Sequence, residues 1–472
     1  MGVDGLYKFI SVNCPYVYNS VFIKNINKKA CIVDGVQHIY SQLIYMRTKN
    51  KEVYTYDGKN ISHIHGLINS LSYYLKNGII PIFIFDGKPP HIKKKKIEER
   101  KLILRNNLKK LKRLENALND CNKVKYDDDR NCDEFSKYFF GTPPESMLVM
   151  DDKSGSDEQE SSGEGEGEEG EEGDGEGDGD GEGDGDMGGG GDTGSRKERE
   201  KEQNLVNKVS KLNNEYYKIY KKSIILKDYY VKDWIEILDL LGLPYIQAEN
   251  EADPICSYLL KNNKNIYGII SDDSDMLIFG ANRLLRKIVN QHFKVIELDY
   301  LIETINYDLL NFEDDNGFTF DDLVNFCILL GTDYGSFSLK IKYDNSLDLL
   351  KYYYKVNKDI LQIINEYDLN KFTEIKNYYT IMPIIKKTIT TDEDLHGYID
   401  PKLLHSKPEW NKPRLMELKK RLLELDVDED YIDETKSYFD ECYNSYISTK
   451  NYVYQQKFTF FNYNKEYNYK QY

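Results

Sequence analysis

The sequence predicts an α/β fold with a mostly parallel central sheet and flanking helices. Three apolar, β-branched runs carry that expectation: Ala30 to Val33 before Asp34, Ile79 to Phe85 before Asp86, and Ile266 to Ile270 ahead of Asp273 and Asp275. Runs that stay apolar rather than alternating read as strands covered on both faces, as in parallel sheets. Such sheets build their sites at the carboxyl ends of their strands, so the acids are expected to meet at one edge.

Helices are expected between the runs. Gly35 to Arg47 reads as one and Ile61 to Leu71 as another, whose His63 and His65, two apart, splay to different sides and make a poor metal pair. After Pro89-Pro90, the apolar residues Ile92, Ile97, Leu104, Leu108 and Leu111 fall at helical spacing among Lys93, Lys94, Lys95, Lys96, Arg100 and Arg105. This is a basic amphipathic helix, with Lys93, Ile97, Arg100 and Leu104 on one face. Helical pattern resumes from Gln203 to Leu241, where Val231, Trp234, Ile235, Leu238 and Leu241 form a core stripe. Gly242-Leu243-Pro244-Tyr245-Ile246 then reads as a helix stop and a strand. Glu251 and Asp253 follow at the first turn of another helix, where acids suit the dipole. Asp333 closes an apolar helical stretch from Leu323.

The candidate metal ligands are therefore Asp34, Asp86, Glu251, Asp253, Asp273, Asp275 and Asp333. Carboxylates crowd together in a dry site only when protonated or bridged by cations. A set with oxygen donors and no His or Cys suits Mg²⁺, with Mn²⁺ as a substitute, better than zinc. Asp4, Glu249 and Asp272 are expected to cap helices or face solvent.

Composition bounds the rest. The formal charge is −16 over 472 residues, yet residues 151–200 hold 21 acids against 4 bases, leaving the remainder close to neutral. The excess is a Gly-Glu and Gly-Asp tract from about Ser154 to Asp192, which has almost nothing apolar to bury and is expected to be a disordered spacer. Competition of this tract with DNA for a basic surface is the alternative reading. Seven cysteines without metal-type spacing point to a reducing, intracellular compartment. The first residues lack the basic and apolar regions of a signal peptide, and Leu6 stands where a myristoylation signal needs Ser or Thr. No membrane association is expected. With 40 tyrosines, any single tyrosine carries little information.

Six motifs in order resemble the flap endonuclease/XPG family of structure-specific 5′ nucleases. They are Met1-Gly2-Val3-x-Gly5-Leu6, Val33-Asp34-Gly35, Phe85-Asp86-Gly87-Lys88-Pro89-Pro90, Glu251-Ala252-Asp253, Ser271-x-Asp273-Ser274-Asp275 and Leu330-Gly331-Thr332-Asp333-Tyr334. The resemblance implies a PIN-like 5′ nuclease core whose seven acids bind two Mg²⁺ ions and cut DNA near a 5′ flap or junction. A 5′-3′ exonuclease or junction resolvase on the same scaffold is the alternative, and Asp253, where flap endonucleases usually carry Glu, is similar to the exonuclease-like branch. A non-catalytic scaffold that binds DNA structures is the rival from another class, and the complete acid set argues against it.

The resemblance also implies that Lys93 and Arg100 are the catalytic basic pair of a helical arch. It implies DNA contacts by Gly2, Tyr40 and Arg47, with Lys94, Lys95 and Lys96 tracking the phosphate backbone. After Asp333 the family continues into a helix-two-turn-helix with a Gly-x-Gly hairpin and a potassium ion; here Lys340 and Lys342 stand at the glycine positions, so duplex contact by point charges is expected instead. Gln455 to Phe461 is similar to a sliding-clamp peptide, making a clamp a candidate partner. The expected organisation is 1–122 and 201–335 as two parts of the nuclease core, 123–200 as an insertion, 336–449 as a helical DNA-binding region and 450–472 as a flexible tail. The implied setting is a monomer acting in replication or repair, in the nucleus or, for a viral protein, at its replication site.

Overall fold

The structure is a computed structural model describing residues 2–27, 29–126, 193–311, 317–337, 339–340, 345–388 and 407–448, with side chains described outside 122–126, 193–202 and 381–388. Strands β1 (Tyr18–Phe22), β2 (Ala30–Asp34), β3 (Ile80–Phe85), β4 (Tyr245–Gln247), β5 (Ile266–Ile270), β6 (Arg283–Val289) and β7 (His292–Glu297) form one sheet in the order β1-β7-β6-β5-β2-β3-β4. The pairings β2/β3, β2/β5, β3/β4 and β5/β6 are parallel, whereas β6/β7 and β7/β1 are antiparallel. The sheet is thus mixed, parallel across the part that carries the acids. Because β2 leads next to β3 on one side and later receives β5 on the other, the chain reverses its winding between β2 and β5, where such sheets open a crevice.

Side-chain alternation sends each buried strand into two cores. Ile32, Ile82, Ile84, Ile269 and Leu284 pack on one face with the helices Leu6–Asn13, Ala252–Asn262, Phe320–Leu330 and Ser346–Lys355. Cys31, Val33, Phe83, Phe85, Ile270 and Leu285 pack on the other with Gly35–Thr48, Ser62–Lys76 and Asp228–Leu240. Trp234 anchors the second core edge-on to Phe83 at 5.7 Å and donates to the His63 carbonyl at 2.9 Å. The helices Leu415–Glu424 and Glu429–Ser448 join this same layer, tied by Trp410 Nε1 to the Leu241 carbonyl at 2.7 Å and by the Tyr438 hydroxyl to the Ser72 carbonyl at 2.8 Å.

The described chain divides into two compact units, Met1–Leu108 with Tyr220–Tyr472, and Lys109–Ile219. The second holds part of the long helix Lys94–Tyr126 and most of Thr193–Tyr220, with Leu111, Leu114 and Cys121 buried and Lys110 paired to Glu215 at 2.7 Å. The helical pattern from Gln203 to Leu241 is carried by two helices, Thr193–Tyr220 and Asp228–Leu240. The end of the first helix is closed by a residue distant in sequence. Arg47 donates to the carbonyls of Tyr220 and Ser223 at 2.9 and 3.0 Å, satisfying oxygens that a helix end leaves open. No described helix is long and apolar enough to cross a membrane.

Candidate active site

The parallel strands deliver the acids as their sequence implies. Asp34 is the last residue of β2 and caps the helix after it, accepting from the Gln37 amide at 3.2 Å; its other oxygen accepts from Ser271 Oγ at 3.0 Å, across the β2/β5 crevice. Asp86 follows β3 and accepts from the Ala252 amide at 2.7 Å, at the start of the helix that carries Asp253. Gly87 makes this possible, because a side chain there would collide with the carbonyls of Ala248 and Glu249. Its amide reaches the Asn250 carbonyl at 2.5 Å, stitching the Asp86 loop to the Glu251 loop. Beyond β5, Ser271 Oγ accepts from the Asp273 amide and Asp273 Oδ1 from the Asp275 amide, both at 3.0 Å. Asp333 lies just beyond the helix Phe320–Leu330, which a Thr319/Asp322 capping box starts in register.

Burial and mutual repulsion govern these carboxyls. Asp34 is pushed up to about 8 by burial first, then by Asp86 and Asp273. Asp253 and Asp275 are raised well above the carboxylate range by burial, with Asp273 adding to both. Burial likewise raises Asp86 and Asp273, against backbone amides that pull each down. Burial first, then the acids Asp34, Asp253 and Asp86, push the Cys256 thiol up as well.

Cations answer part of this charge. Lys93 Nζ donates to Glu251, and Arg100 to Asp333. Burial pulls Lys93 down, but the carboxylates of Glu251 and Asp253 outweigh it and hold the ammonium above its usual range. Among the described residues no three carboxylate, imidazole or thiol groups are preassembled as a finished ligand set. Instead the acids are held partly by protein donors, while both carboxylate oxygens of Asp275, 1% exposed, have no hydrogen-bond partner there. A buried, unpaired carboxylate among further carboxylates, with no imidazole beside it, is a donor set that fits a hard divalent cation.

The other expected residues are placed as follows. Gly2 (φ +89°) lies against Asp273 and Ser274, and the Val3 amide donates to Ser274 Oγ at 2.8 Å. Tyr40 is half-buried against the second core. Arg47 is spent inside the protein, paired with Glu52 at 3.0 Å as well as with the two carbonyls above. Lys94 and Lys95 are exposed and Lys96 half-exposed at the start of the basic helix. Exposed Lys340 donates through its amide to the Ile363 carbonyl at 2.8 Å. Lys342, the acidic tract and the clamp-like tail lie outside the described residues. His63 pairs with Asp233 at 2.9 Å while His65 stacks on Tyr431, so the two face different partners.

Sequence reasoning missed four side chains at the site. Ser271 and Ser274 orient Asp34 and the N-terminal loop, and both stand inside a motif quoted above. Tyr334 and Tyr378 both donate to Glu251. Tyr378 had no signal in so tyrosine-rich a chain.

Comparisons with known proteins found relatives of the chain. Family models for the XPG N-terminal domain and the XPG I-region match residues 1–107 and 242–333. Flap endonuclease 1 of Theileria parva is 23% identical over 431 residues, covering 90% of this chain and 66% of that protein. Flap endonuclease 1-B of Oryza sativa subsp. indica is 25% identical over 336 residues, covering 71% and 57%. The chain thus spans less than two thirds of the length of these curated relatives. Among solved structures, flap endonuclease-1 from Methanococcus jannaschii aligns over 90% of this chain and 95% of that one, with 19% identity and a TM-score of 0.47. Residues 1–107 and 242–333 are thus similar to the N-terminal domain and the I-region of the XPG family, to which the flap endonuclease relatives point as well.

Proposed function

We propose that this protein is a divalent-metal-dependent, structure-specific 5′ nuclease that hydrolyses DNA at or near 5′ flaps or single-strand/duplex junctions, in replication or repair. The observation that carries the reading is the convergence of Asp34, Asp86, Glu251, Asp253, Asp273, Asp275 and Asp333 on one sheet edge, with Lys93 and Arg100 reaching into it. Two Mg²⁺ ions, or Mn²⁺ in their place, would be held by these carboxylates and, when bound, supply an activated water and charge neutralisation.

The chain's own groups do the rest. Asp34 and Asp273 face the crevice from the ends of neighbouring strands, fixed by Ser271 and backbone amides, and the remaining acids would close around the cations from there. Lys93 and Arg100 each hold a carboxylate in the absence of DNA. With substrate in place these two side chains would turn to the non-bridging oxygens of the scissile phosphate, where developing charge is stabilised most. Lys94, Lys95 and Lys96 track the strand on the outer face of the same helix. No nucleophilic side chain is required.

A panel of 5′-labelled flap, nick, gap, blunt and four-way substrates with Mg²⁺ or EDTA tests the reading and sorts flap from exonuclease or junction activity. Cleavage confined to structured 5′ substrates in Mg²⁺ supports it; no cleavage of any of them refutes it.

A further inference from the structure

Glu251 is the most heavily engaged acid of the site. One oxygen takes the Lys93 ammonium, and the other takes the hydroxyls of Tyr334 and, at 2.7 Å, Tyr378. Tyr334 belongs to the motif around Asp333, but Tyr378 comes from Leu369–Thr388, a helix beyond both matched family segments. That helix is fixed at several points: Phe372, Ile375 and Tyr379 are buried, Lys371 donates to the Ser336 carbonyl at 3.2 Å and Lys376 pairs with Asp321 at 2.8 Å. The Tyr378 ring packs on Tyr334 at 4.7 Å and on Phe279 at 5.9 Å, so apolar contact already holds the ring in place. Its hydroxyl serves the carboxylate.

We infer that Tyr378 is a positioning residue for Glu251: with Tyr334 it holds the carboxylate toward the acid cluster against the pull of Lys93, presetting one ligand of the divalent cation. The inference rests on the nuclease reading above. The physical ground is orientation. A carboxylate held only through one oxygen by Lys93 would turn with that long, flexible side chain, whereas two ring-packed aromatic donors on the second oxygen keep it in place. Partners that orient ligands in this way change metal affinity or activity about 10–100-fold when removed.

Tyr378→Phe deletes the hydroxyl and keeps the ring. In the full chain without DNA, Mn²⁺ binding followed by the EPR signal of free Mn²⁺ is expected to weaken about tenfold. Single-turnover flap cleavage should fall by a similar factor at low Mg²⁺ and recover toward the parental rate at saturating Mg²⁺, with junction affinity in Ca²⁺ and the melting temperature unchanged. Tyr334→Phe, alone and combined with Tyr378→Phe, gives a second reading of the same carboxylate. Mn²⁺ affinity within twofold of parental in both single variants and the double variant overturns the inference. So does a lowered melting temperature with a rate that metal does not rescue, which marks a packing role. A parental protein that binds Mn²⁺ but cuts no substrate would sink the nuclease reading while leaving the Mn²⁺ comparison intact.

Discussion

Gly2 offers a perturbation whose consequence is set by geometry. Its φ of +89° is a left-handed conformation, and a Cβ built there comes within 2.9 Å of the Asp275 amide, with Asp273 Oδ1 and Ser274 Oγ nearer still. Gly5 is the control, because it has φ +73° with nothing within 4 Å of its Cβ direction. Gly5→Ala therefore carries only the backbone strain, about 1–2 kcal/mol of stability. Gly2→Ala carries the same strain and must push Asp273 and Ser274 back by about 1 Å to restore ordinary contact. A displacement of that size at reacting groups costs about a hundredfold in rate. The assay is single-turnover cleavage of a 5′ flap at saturating Mg²⁺, with melting temperatures of both variants in parallel. Similar losses of stability are expected, with a rate loss of about a hundredfold confined to Gly2→Ala. Equal rates for the two variants would refute the placement of Gly2 against the acids.

Three further outcomes follow from the same structure. Lys93→Ala and Arg100→Ala should each lower single-turnover cleavage about a hundredfold, roughly 2.7 kcal/mol of transition-state stabilisation, with little change in junction affinity; proportional loss of binding and rate would place them among ordinary backbone contacts. Burial lowers His38 and His65 from 6.5 to about 4, so both are neutral in the fold and their protonation favours unfolding. Their stability contribution is complete above the unfolded value and lost as pH falls toward the folded one, about 2 kcal/mol for each at about pH 5. Urea titrations near pH 7.5 and 5 should show a smaller acid loss for His65→Phe than for the parent, and identical losses would show that His65 stays accessible to protons. Deleting residues 154–192 should leave folding and metal-dependent cleavage intact, since an acidic glycine tract has nothing apolar to expose; loss of soluble, active protein would show that the tract is structural.

What could be read in advance was the part of the fold where burial on both faces leaves an unmistakable run. β2 and β5 fall where their apolar residues place them, and each acid sits at the strand or helix end its position implied. The antiparallel edge was not legible. β6 and β7 mix Arg283, Arg286, Lys287, His292 and Lys294 with apolar residues, and their turn uses Asn290 (φ 49°) and Gln291 (φ 65°) where a hairpin signal would show glycine. Likewise Arg47 resembled a phosphate contact by position, while its actual partners, Glu52 and the carbonyls of Tyr220 and Ser223, include two about 170 residues away that no local pattern could connect to it. Tyr378 was hidden for the opposite reason. Its neighbours in sequence say nothing, and only the helix packing that brings it to Glu251 gives it a role.

The most direct test of the central claim compares the parental protein with Asp273→Ala on a 5′-flap substrate, measuring junction binding in Ca²⁺ and single-turnover cleavage in Mg²⁺. On the proposed reading phosphate contacts elsewhere would supply most of the affinity, so binding should stay within a few fold, while cleavage should fall by on the order of a thousandfold. Cleavage by Asp273→Ala at the parental rate would contradict the account.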